Sequence, residues 1–359
     1  MAVILGTLAL VATGCADAPQ SMLDPKGPFA EQPDDLFQLV MWIALVIFIL
    51  VQGLIIYSAI KFRQRKDDDG SLPVQVHGNT KLELVWTIIP ALILAGIAVP
   101  TVRTIFELAG EPEGSITIEV IGHRWWWEYH YPDHGGFRTA NELVIPAGVP
   151  IHLEMIAEES GGPDRAVIHS FWIPPLAGKQ DVVPGRITEL NMMADEPGRY
   201  LGQCAEYCGL SHANMRARAI ALPQNEFDEW VELQNAPAQM PSDGLAAEGA
   251  RLFVEGAGGQ ACASCHRING LEGAQGNVGP DLTHLMSRRE FAGAIFPLYE
   301  QLGPTEFDTS QPREDLLAEW LEDPPAMKPM RPEFGVGMPN VNLTPEEIEA
   351  LVAYLITLE

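Results

Sequence analysis

The chain is poor in basic residues and in cysteine. Its 22 lysines and arginines stand against 48 aspartates and glutamates, a formal net charge of -26. Proteins that bind nucleic acids need a basic surface to neutralise phosphate, so this class is excluded and a basic protein partner is expected. Five cysteines in 359 residues are too few for a disulfide scaffold. Four of them form two local pairs, Cys204 with Cys208 and Cys262 with Cys265, which indicates local chemistry.

The N-terminus has the pattern of an export signal. A short apolar run over residues 2–12 is followed by Thr13, Gly14 and Cys15, with small residues just before a lone cysteine. We predict a signal peptide over residues 1–15 with a possible lipoprotein site at Cys15. Basic residues are missing at the start. A plain signal peptide and an unprocessed start therefore remain alternatives.

Two apolar stretches, over residues 36–60 and 84–102, match the length that a helix needs to span a bilayer. The first has no polar face, which favours a membrane span over a buried core helix. The connection between them is basic, and positive charge in short loops stays cytoplasmic. The basic residues are Lys61, Arg63, Arg65, Lys66 and Lys81. We predict a transmembrane hairpin over 36–104, with both the N-terminus and everything after Arg103 outside the cytoplasm.

The remaining chain divides into two predicted domains. Residues 115–232 contain short runs rich in β-branched residues between Pro and Gly turns, which is typical of a small β-sandwich or barrel. Residues 233–243 are small, polar and rich in proline, as in a linker. Residues 244–359 begin and end with helical patterns, and the last helix has Thr344 as its N-cap and Pro345 in its first turn.

The segment GQCAEYCGLSHANM contains the candidate metal ligands of the β domain. Cys204, Cys208, His212 and Met215 supply two thiolates, an imidazole and a thioether, a soft set that favours copper over calcium or magnesium. Zinc is the main competitor, but zinc seldom uses a thioether. A Cys204–Cys208 disulfide is a further alternative. Glycines bracket the segment and disfavour a helix, so a loop between strands is predicted.

A second motif, CASCH, begins the last domain. Cys262, Cys265 and His266 form the CxxCH pattern of c-type haem attachment, in which two thiols bond to the haem and the histidine binds iron. A thioredoxin-like pair is disfavoured because no βαβ pattern surrounds the motif. A zinc site would need further cysteine or histidine ligands nearby.

The second axial ligand of such a haem is left open by the residues alone. Met327, Met330 and Met338 all lie between the haem motif and the last helix. His284 is a weaker candidate, and the neighbouring Met286 comes early in the chain. Met338 is favoured because it precedes a proline just before the terminal helix.

These motifs together resemble a known family. The run VIHSFWIPPLAGKQDVVPGR, followed by the Cys204 to Met215 segment and preceded by the two apolar stretches, resembles the CuA domain of cytochrome c oxidase subunit II over residues 36–229. The haem motif, the run GNVGPDLTHL and the terminal helix resemble a class I cytochrome c. The resemblance implies a bacterial multidomain membrane protein. It would have a two-helix transmembrane hairpin, a cupredoxin-like all-β sandwich and an all-α class I cytochrome c domain.

The resemblance also implies a set of copper ligands. Cys204 and Cys208 would bridge two copper ions, and His169 and His212 would each bind one. Met215 would be a weak ligand. The backbone carbonyl of Glu206 would complete the set.

Three further roles follow from the same resemblance. The Glu206 side chain would bind magnesium at the contact with subunit I. Trp125 would be the point where electrons arrive at the copper centre. Glu83, at the cytoplasmic start of the second span, would open a proton route, although a carboxylate there is by default a solvated interfacial group. With His266 and Met338 as haem ligands, the two centres form an electron relay.

The implied function is subunit II of a terminal respiratory oxidase. The expected partners are subunit I, where oxygen is reduced to water with proton translocation, other oxidase subunits, the membrane and an external donor such as a cytochrome c or a quinol-cytochrome c reductase. A nitrous oxide reductase would need a large His-rich catalytic domain that the sequence lacks. A copper carrier or free shuttle would not need two spans. A quinol oxidase subunit II resembles this fold but lacks the copper cysteines.

Overall fold

The computed structural model describes residues 19–63, 78–158, 166–257 and 259–359. The chain forms two compact units, one comprising Glu31–Gly110 and the other comprising Glu111–Glu359 with the N-terminal segment up to Ala30. The predicted signal peptide, residues 1–15 with Cys15, lies outside the described residues. So do Arg65 and Lys66 of the predicted cytoplasmic loop.

The first unit contains two long helices, α1 (Pro28–Lys61) and α2 (Thr80–Leu108). Both are long and apolar enough to cross a membrane, and their apolar side chains are exposed. The side chain of Asn79 caps α2 by accepting a hydrogen bond from the Leu82 amide at 3.2 Å. Glu83 lies in the first turn of α2. The helices extend beyond the predicted 36–104 at both ends.

The second unit begins with ten strands that form two five-stranded sheets. The first sheet has the order β3-β2-β1-β5-β8, and the second has the order β4-β10-β9-β6-β7. The strands are β1 (Ile116–His123), β2 (Trp126–His130), β3 (Arg138–Ala140), β4 (Glu142–Pro146), β5 (Ile151–Ala157), β6 (His169–Trp172), β7 (Gln180–Val182), β8 (Thr188–Met192), β9 (Gly198–Cys204) and β10 (Arg216–Leu222).

One buried cluster joins the inner faces of the two sheets. Ile118 and Leu153 from the first sheet share this core with Leu143 and Phe171 from the second. Most neighbouring strands are antiparallel, but β1 with β5 and β4 with β10 run parallel. The arrangement is a β-sandwich, as the short β-branched runs between Pro and Gly turns predicted.

Helices frame the C-terminal part of this unit. They are α3 (Gln224–Asn235), α4 (Gly244–Glu255), α5 (Glu314–Glu322), α6 (Pro324–Met327) and α7 (Pro345–Leu355). Helices α4 and α7 cross so closely that a Cβ on Gly249 would lie 2.0 Å from the Ala350 carbonyl oxygen. The N-terminus of α7 carries a capping box between Thr344 and Glu347, which confirms the predicted helix start.

The C-terminal domain is not purely helical. Two short hairpins, β11 (Glu290–Phe291) with β12 (Phe296–Pro297) and β13 (Tyr299–Gln301) with β14 (Phe307–Pro312), interrupt it before α5. The prediction of an all-α domain needs this correction. Three of these four strands have only two or three residues, too few to give an alternating pattern that a sequence would reveal.

Candidate metal centre and haem cleft

The predicted metal ligands lie at the end of β9 (Cys204), on the loop 205–215 between β9 and β10, and at the start of β6 (His169) beside it. The strand register pairs Phe171 with Cys204, which brings the start of β6 to the end of β9. The Cys204 amide donates a hydrogen bond to the Met215 carbonyl at 2.9 Å and closes the loop. The Ala205 amide donates to the Ser170 carbonyl at 2.8 Å. Backbone bonds at both ends of the loop therefore fix its position before any metal binds.

One half of the donor set surrounds Cys204. Its Sγ lies 3.8 Å from Cys208 Sγ and 3.9 Å from His169 Nδ1. The Glu206 carbonyl oxygen lies 3.2 Å from the same sulfur. Both cysteines are buried and free, and their sulfurs are well beyond the length of a disulfide bond. The Cys208 thiol, the His169 imidazole and the Glu206 carbonyl therefore lie close together around the Cys204 sulfur.

The other half surrounds Cys208. His212 Nδ1 lies 3.6 Å from Cys208 Sγ, and Met215 Sδ lies 3.9 Å from it. Each imidazole therefore stands beside a different thiol. The donor atoms of His169, Cys204 and Cys208 all lie within 4.8 Å of one another, and His212 is not a member of this compact group. This spread suits two metal positions that share the thiols better than one tetrahedral zinc.

The chemistry of the pair also suits copper. The hydrogen bond from Cys208 lowers the pKa of the Cys204 thiol to about 3, so the pair holds a thiolate at neutral pH. Two thiols, two imidazoles and a thioether form a soft donor set, which copper prefers. The residues thus fit the copper centre that the resemblance implies.

The three consecutive tryptophans have different surroundings. Trp125 is 4% exposed and donates its indole N–H to the Cys208 carbonyl at 2.9 Å. Trp126 stacks on the His123 ring. Trp127 is fully buried and packs edge-on against His169 and Phe171, as a core residue. Only Trp125 hydrogen-bonds directly to a predicted copper ligand among the described contacts of these three residues.

A cavity of about 230 Å³ lies at the CASCH motif. Cys262, Cys265 and His266 line it together with Trp125 and an apolar wall. The wall comprises Phe253, Leu282, Leu285, Leu317, Leu321 and Leu351. A covalently bound haem requires two attachment thiols, a nearby imidazole and an apolar pocket. The residues fit this group as well.

His266 is oriented for metal binding through one nitrogen. Its Nδ1 lies 2.8 Å from the Pro280 carbonyl oxygen, which leaves Nε2 as the candidate ligand atom. Burial lowers the pKa of His266, and a neutral imidazole is the form that binds iron. A Cβ on Gly279 would lie 2.5 Å from the His266 ring, so only glycine fits behind the imidazole.

Two methionines line this cavity among the described residues, Met330 and Met338. Met338 packs against the core of the C-terminal domain, whereas Met330 packs against the core of the β-sandwich. His284 is buried elsewhere, with its two ring nitrogens bonded to the carbonyls of Glu359 at 2.5 Å and Ala236 at 2.9 Å. Met338 stays the predicted second ligand of the haem, and Met330 is its rival in the same cavity.

Two polar groups at the boundary between the β-sandwich and the C-terminal domain were not anticipated from the sequence. Lys328 is 3% exposed, and burial lowers its pKa to about 7. Arg218 on β10 forms a buried ion pair with Glu290. The only signal for Arg218 is a charged residue in an otherwise apolar strand, RARAIAL. Lys328 in KPMRP has no periodic pattern around it that would indicate burial.

Three known domain families match consecutive parts of the chain. Residues 16–104 match "Cytochrome C oxidase subunit II, transmembrane domain", and residues 135–221 match the periplasmic domain of the same subunit. Residues 246–359 match "Cytochrome c". The order of the matches is the order of the hairpin, the β-sandwich and the C-terminal domain.

Similar proteins extend over nearly the whole chain. Cytochrome c oxidase subunit 2 of Alkalihalophilus pseudofirmus is 35% identical, covering 99% of this chain and 96% of the relative. The same subunit of Bacillus sp. strain PS3 is 32% identical with the same coverage. The solved periplasmic domain of subunit II of cytochrome oxidase of Bradyrhizobium japonicum is 32% identical, covering 34% of this chain and 95% of that one, with a TM-score of 0.32. The chain belongs to the cytochrome c oxidase subunit 2 family.

Proposed function

We propose that this chain is the electron-relay subunit of a terminal respiratory oxidase, with its own haem c placed before a dinuclear copper centre. The observation that carries the proposal is the split donor set. Cys204 and Cys208 face each other at 3.8 Å, with one imidazole beside each sulfur. A centre of two coppers bridged by thiolates needs this arrangement. The CASCH cleft in the same compact unit supplies the second redox site.

The copper ligands are assigned from these distances. Cys204, Cys208, His169 and His212 would hold the copper ions. Met215 Sδ and the Glu206 carbonyl are the remaining donors on opposite sides of the pair. Strand β6 and the closed loop hold these groups rigidly, so little rearrangement is needed when an electron arrives or leaves.

The haem would be held by Cys262 and Cys265 through covalent bonds, and by His266 and Met338. When bound, the haem and the coppers supply one-electron redox chemistry. The protein residues position them and exclude water. Trp125 lines the haem cleft and also bonds to the Cys208 carbonyl, so we assign it as the contact between the two centres.

A catalytic partner is required for oxygen chemistry. Both donor sets are closed, and reduction of dioxygen to water takes four electrons, more than two one-electron sites hold. The copper loop presents an exposed face with Tyr207, Leu210 and Glu206. We assign this face to subunit I, and the Glu206 carboxylate to a magnesium ion at that contact. Subunit I would take the electrons and reduce oxygen.

We assign this relay to the outer side of a bacterial cell membrane. The hairpin α1–α2 would cross the cell membrane with its basic loop inside, since positive loops stay cytoplasmic. Both folded domains would then face the outer side. There they would meet the external donor, a cytochrome c or a quinol-cytochrome c reductase.

Stopped-flow reduction of the intact oxidase by an external donor tests the relay. We expect haem c to be reduced before copper, because in the proposed relay electrons pass from the external donor to the haem and then to the copper. Oxygen consumption should disappear when subunit I is removed. Copper reduced before haem, or oxygen consumption by the isolated chain at a comparable rate, would contradict the proposal.

Glu83 is assigned to proton uptake at the cytoplasmic end of α2. It lies in the first turn of that helix, where its carboxylate accepts a hydrogen bond from the Asn79 amide at 3.4 Å. We expect Glu83→Gln to slow oxygen turnover while haem and copper reduction stay at wild-type rates, because only a proton step is lost. The exposed Glu111→Gln provides a matched control. Normal turnover of Glu83→Gln would return the residue to a solvated interfacial role.

A further inference from the structure

The surface around Trp125 is covered by the C-terminal domain of the same chain. Lys328 donates from Nζ to the Trp125 carbonyl at 2.7 Å and to the Ala292 carbonyl at 2.7 Å. The hydroxyl of Ser211, on the copper-ligand loop, donates to the Pro329 carbonyl at 2.5 Å. The haem-bearing domain therefore touches both Trp125 and the loop that carries the metal ligands.

The turn 292–294 between β11 and β12 is fitted to this surface. All three of its residues have positive φ, of 54°, 86° and 57°. The Arg216 amide donates to the Gly293 carbonyl at 2.9 Å. A Cβ on Gly293 would lie 2.7 Å from the Asn214 carbonyl and 2.8 Å from the Trp125 carbonyl, so only glycine allows this approach. The positive-φ backbone of this turn is therefore part of the contact between the two domains.

A buried ion network lies beside the turn. Arg218 forms two parallel bonds with Glu290, Nε to Oε2 at 2.7 Å and Nη2 to Oε1 at 3.0 Å. Its Nη2 also donates to the Ala294 carbonyl at 3.0 Å. Arg199 bonds to Glu290 as well, and to Glu142 at 3.2 Å. Both Arg218 and Glu290 are 8% exposed, so water screens these charges little.

The charges of this network balance only when the C-terminal domain is docked on the β-sandwich. The β-sandwich contributes Arg199, Arg218 and Glu142, an excess of one positive charge, and the C-terminal domain contributes Glu290. Removing one partner of such a buried network leaves an uncompensated charge, which is strongly unfavourable. The network is thus a charge-complementary contact and not a set of surface pairs.

We infer that Glu290 and Lys328 are positioning residues that keep the haem-bearing domain docked on Trp125 and the copper loop, and that electron transfer from the haem to the copper needs this docked arrangement. The hydrogen bonds of Lys328 and the ion network of Glu290 support the docking. The electron-transfer consequence rests on the proposed function.

The test uses the intact oxidase, loaded with haem and copper, and the variants Glu290→Gln and Lys328→Met. The matched control is Glu248→Gln, which removes an exposed ion pair on α4 of the same domain. Two readouts are compared, amide hydrogen exchange over residues 289–297 and the rate of haem-to-copper electron transfer after flash reduction. Haem and copper spectra and the haem potential serve as a check that both centres are intact.

We expect the amides of 289–297 to exchange about 100-fold faster or more in Glu290→Gln, because Arg199 and Arg218 lose the carboxylate that balances them. In Lys328→Met we expect exchange about tenfold faster or more, because the buried carbonyls of Trp125 and Ala292 lose their donor. Haem-to-copper transfer should slow by about tenfold or more as the docked population falls. Glu248→Gln should change neither readout. Both centres should keep their spectra and potentials in every variant.

Wild-type exchange in both variants would overturn the inference, and so would faster exchange with an unchanged transfer rate. If Glu290→Gln does not accumulate, Lys328→Met decides alone by the same two criteria. A failure of the proposed function is distinguishable: a chain without copper would give no transfer signal, while the exchange comparison would still report on docking.

Discussion

Cys204→Ser is expected to abolish the mixed-valence copper signal and oxygen consumption of the oxidase while haem c remains attached. A serine hydroxyl cannot replace a thiolate that bridges two metals. Copper affinity should fall by more than about 100-fold, because even the hydrogen-bond partners of metal ligands are worth 10- to 100-fold. Copper analysis and electron paramagnetic resonance of the purified complex measure the loss. The same result is expected for Cys208→Ser.

The control for this prediction lies on the same loop. Tyr207→Phe alters an exposed ring whose centre is 5.7 Å from that of His212 but which supplies no ligand atom. It should keep the copper signal. Retention of a two-copper signal in Cys204→Ser would show that the sulfur does not bridge, and the assignment of the loop would be wrong.

Met338→Ala is expected to lower the haem potential and to open a coordination site on the iron. A methionine ligand raises the potential of a c-type haem, and axial ligands span about 0.8 V in all, so a fall on the order of 0.1 V or more is expected. Potentiometric titration and binding of carbon monoxide to the reduced haem measure the two effects. Electron transfer to copper should change with the driving force.

Met330→Ala is the paired variant, because Met330 lines the same cavity. Its contacts with the β-sandwich core indicate a packing role, so the haem potential and spectrum should stay close to wild type. The reverse outcome, a changed haem in Met330→Ala and an unchanged one in Met338→Ala, would transfer the ligand role to Met330.

The parts of the fold that follow from strong local patterns could be predicted. Long apolar runs predicted α1 and α2, and short β-branched runs between Pro and Gly turns predicted the sandwich. Thr344 as N-cap and Pro345 in the first turn predicted the start of α7, and the metal loop was predicted from its glycines. In each case the signal lies within a few neighbouring residues, and the structure places the same type of element there.

The contact between the two domains could not be predicted, because its residues are far apart in the chain. Arg218 and Glu290 are separated by 72 positions, and Lys328 and Trp125 by 203. No spacing rule joins such residues, and a single sequence gives no sign that Lys328 is buried. The short hairpin that contains Ala292 and Ala294 could not be predicted either, because alanine rarely adopts a positive φ.

The most direct test of the account is the metal and haem content of the purified full-length chain, measured together with its copper resonance spectrum. The account predicts two copper ions and one covalently bound haem c per chain, with one unpaired electron shared equally between the two copper nuclei. One zinc ion with no copper, or two isolated copper signals, would contradict it.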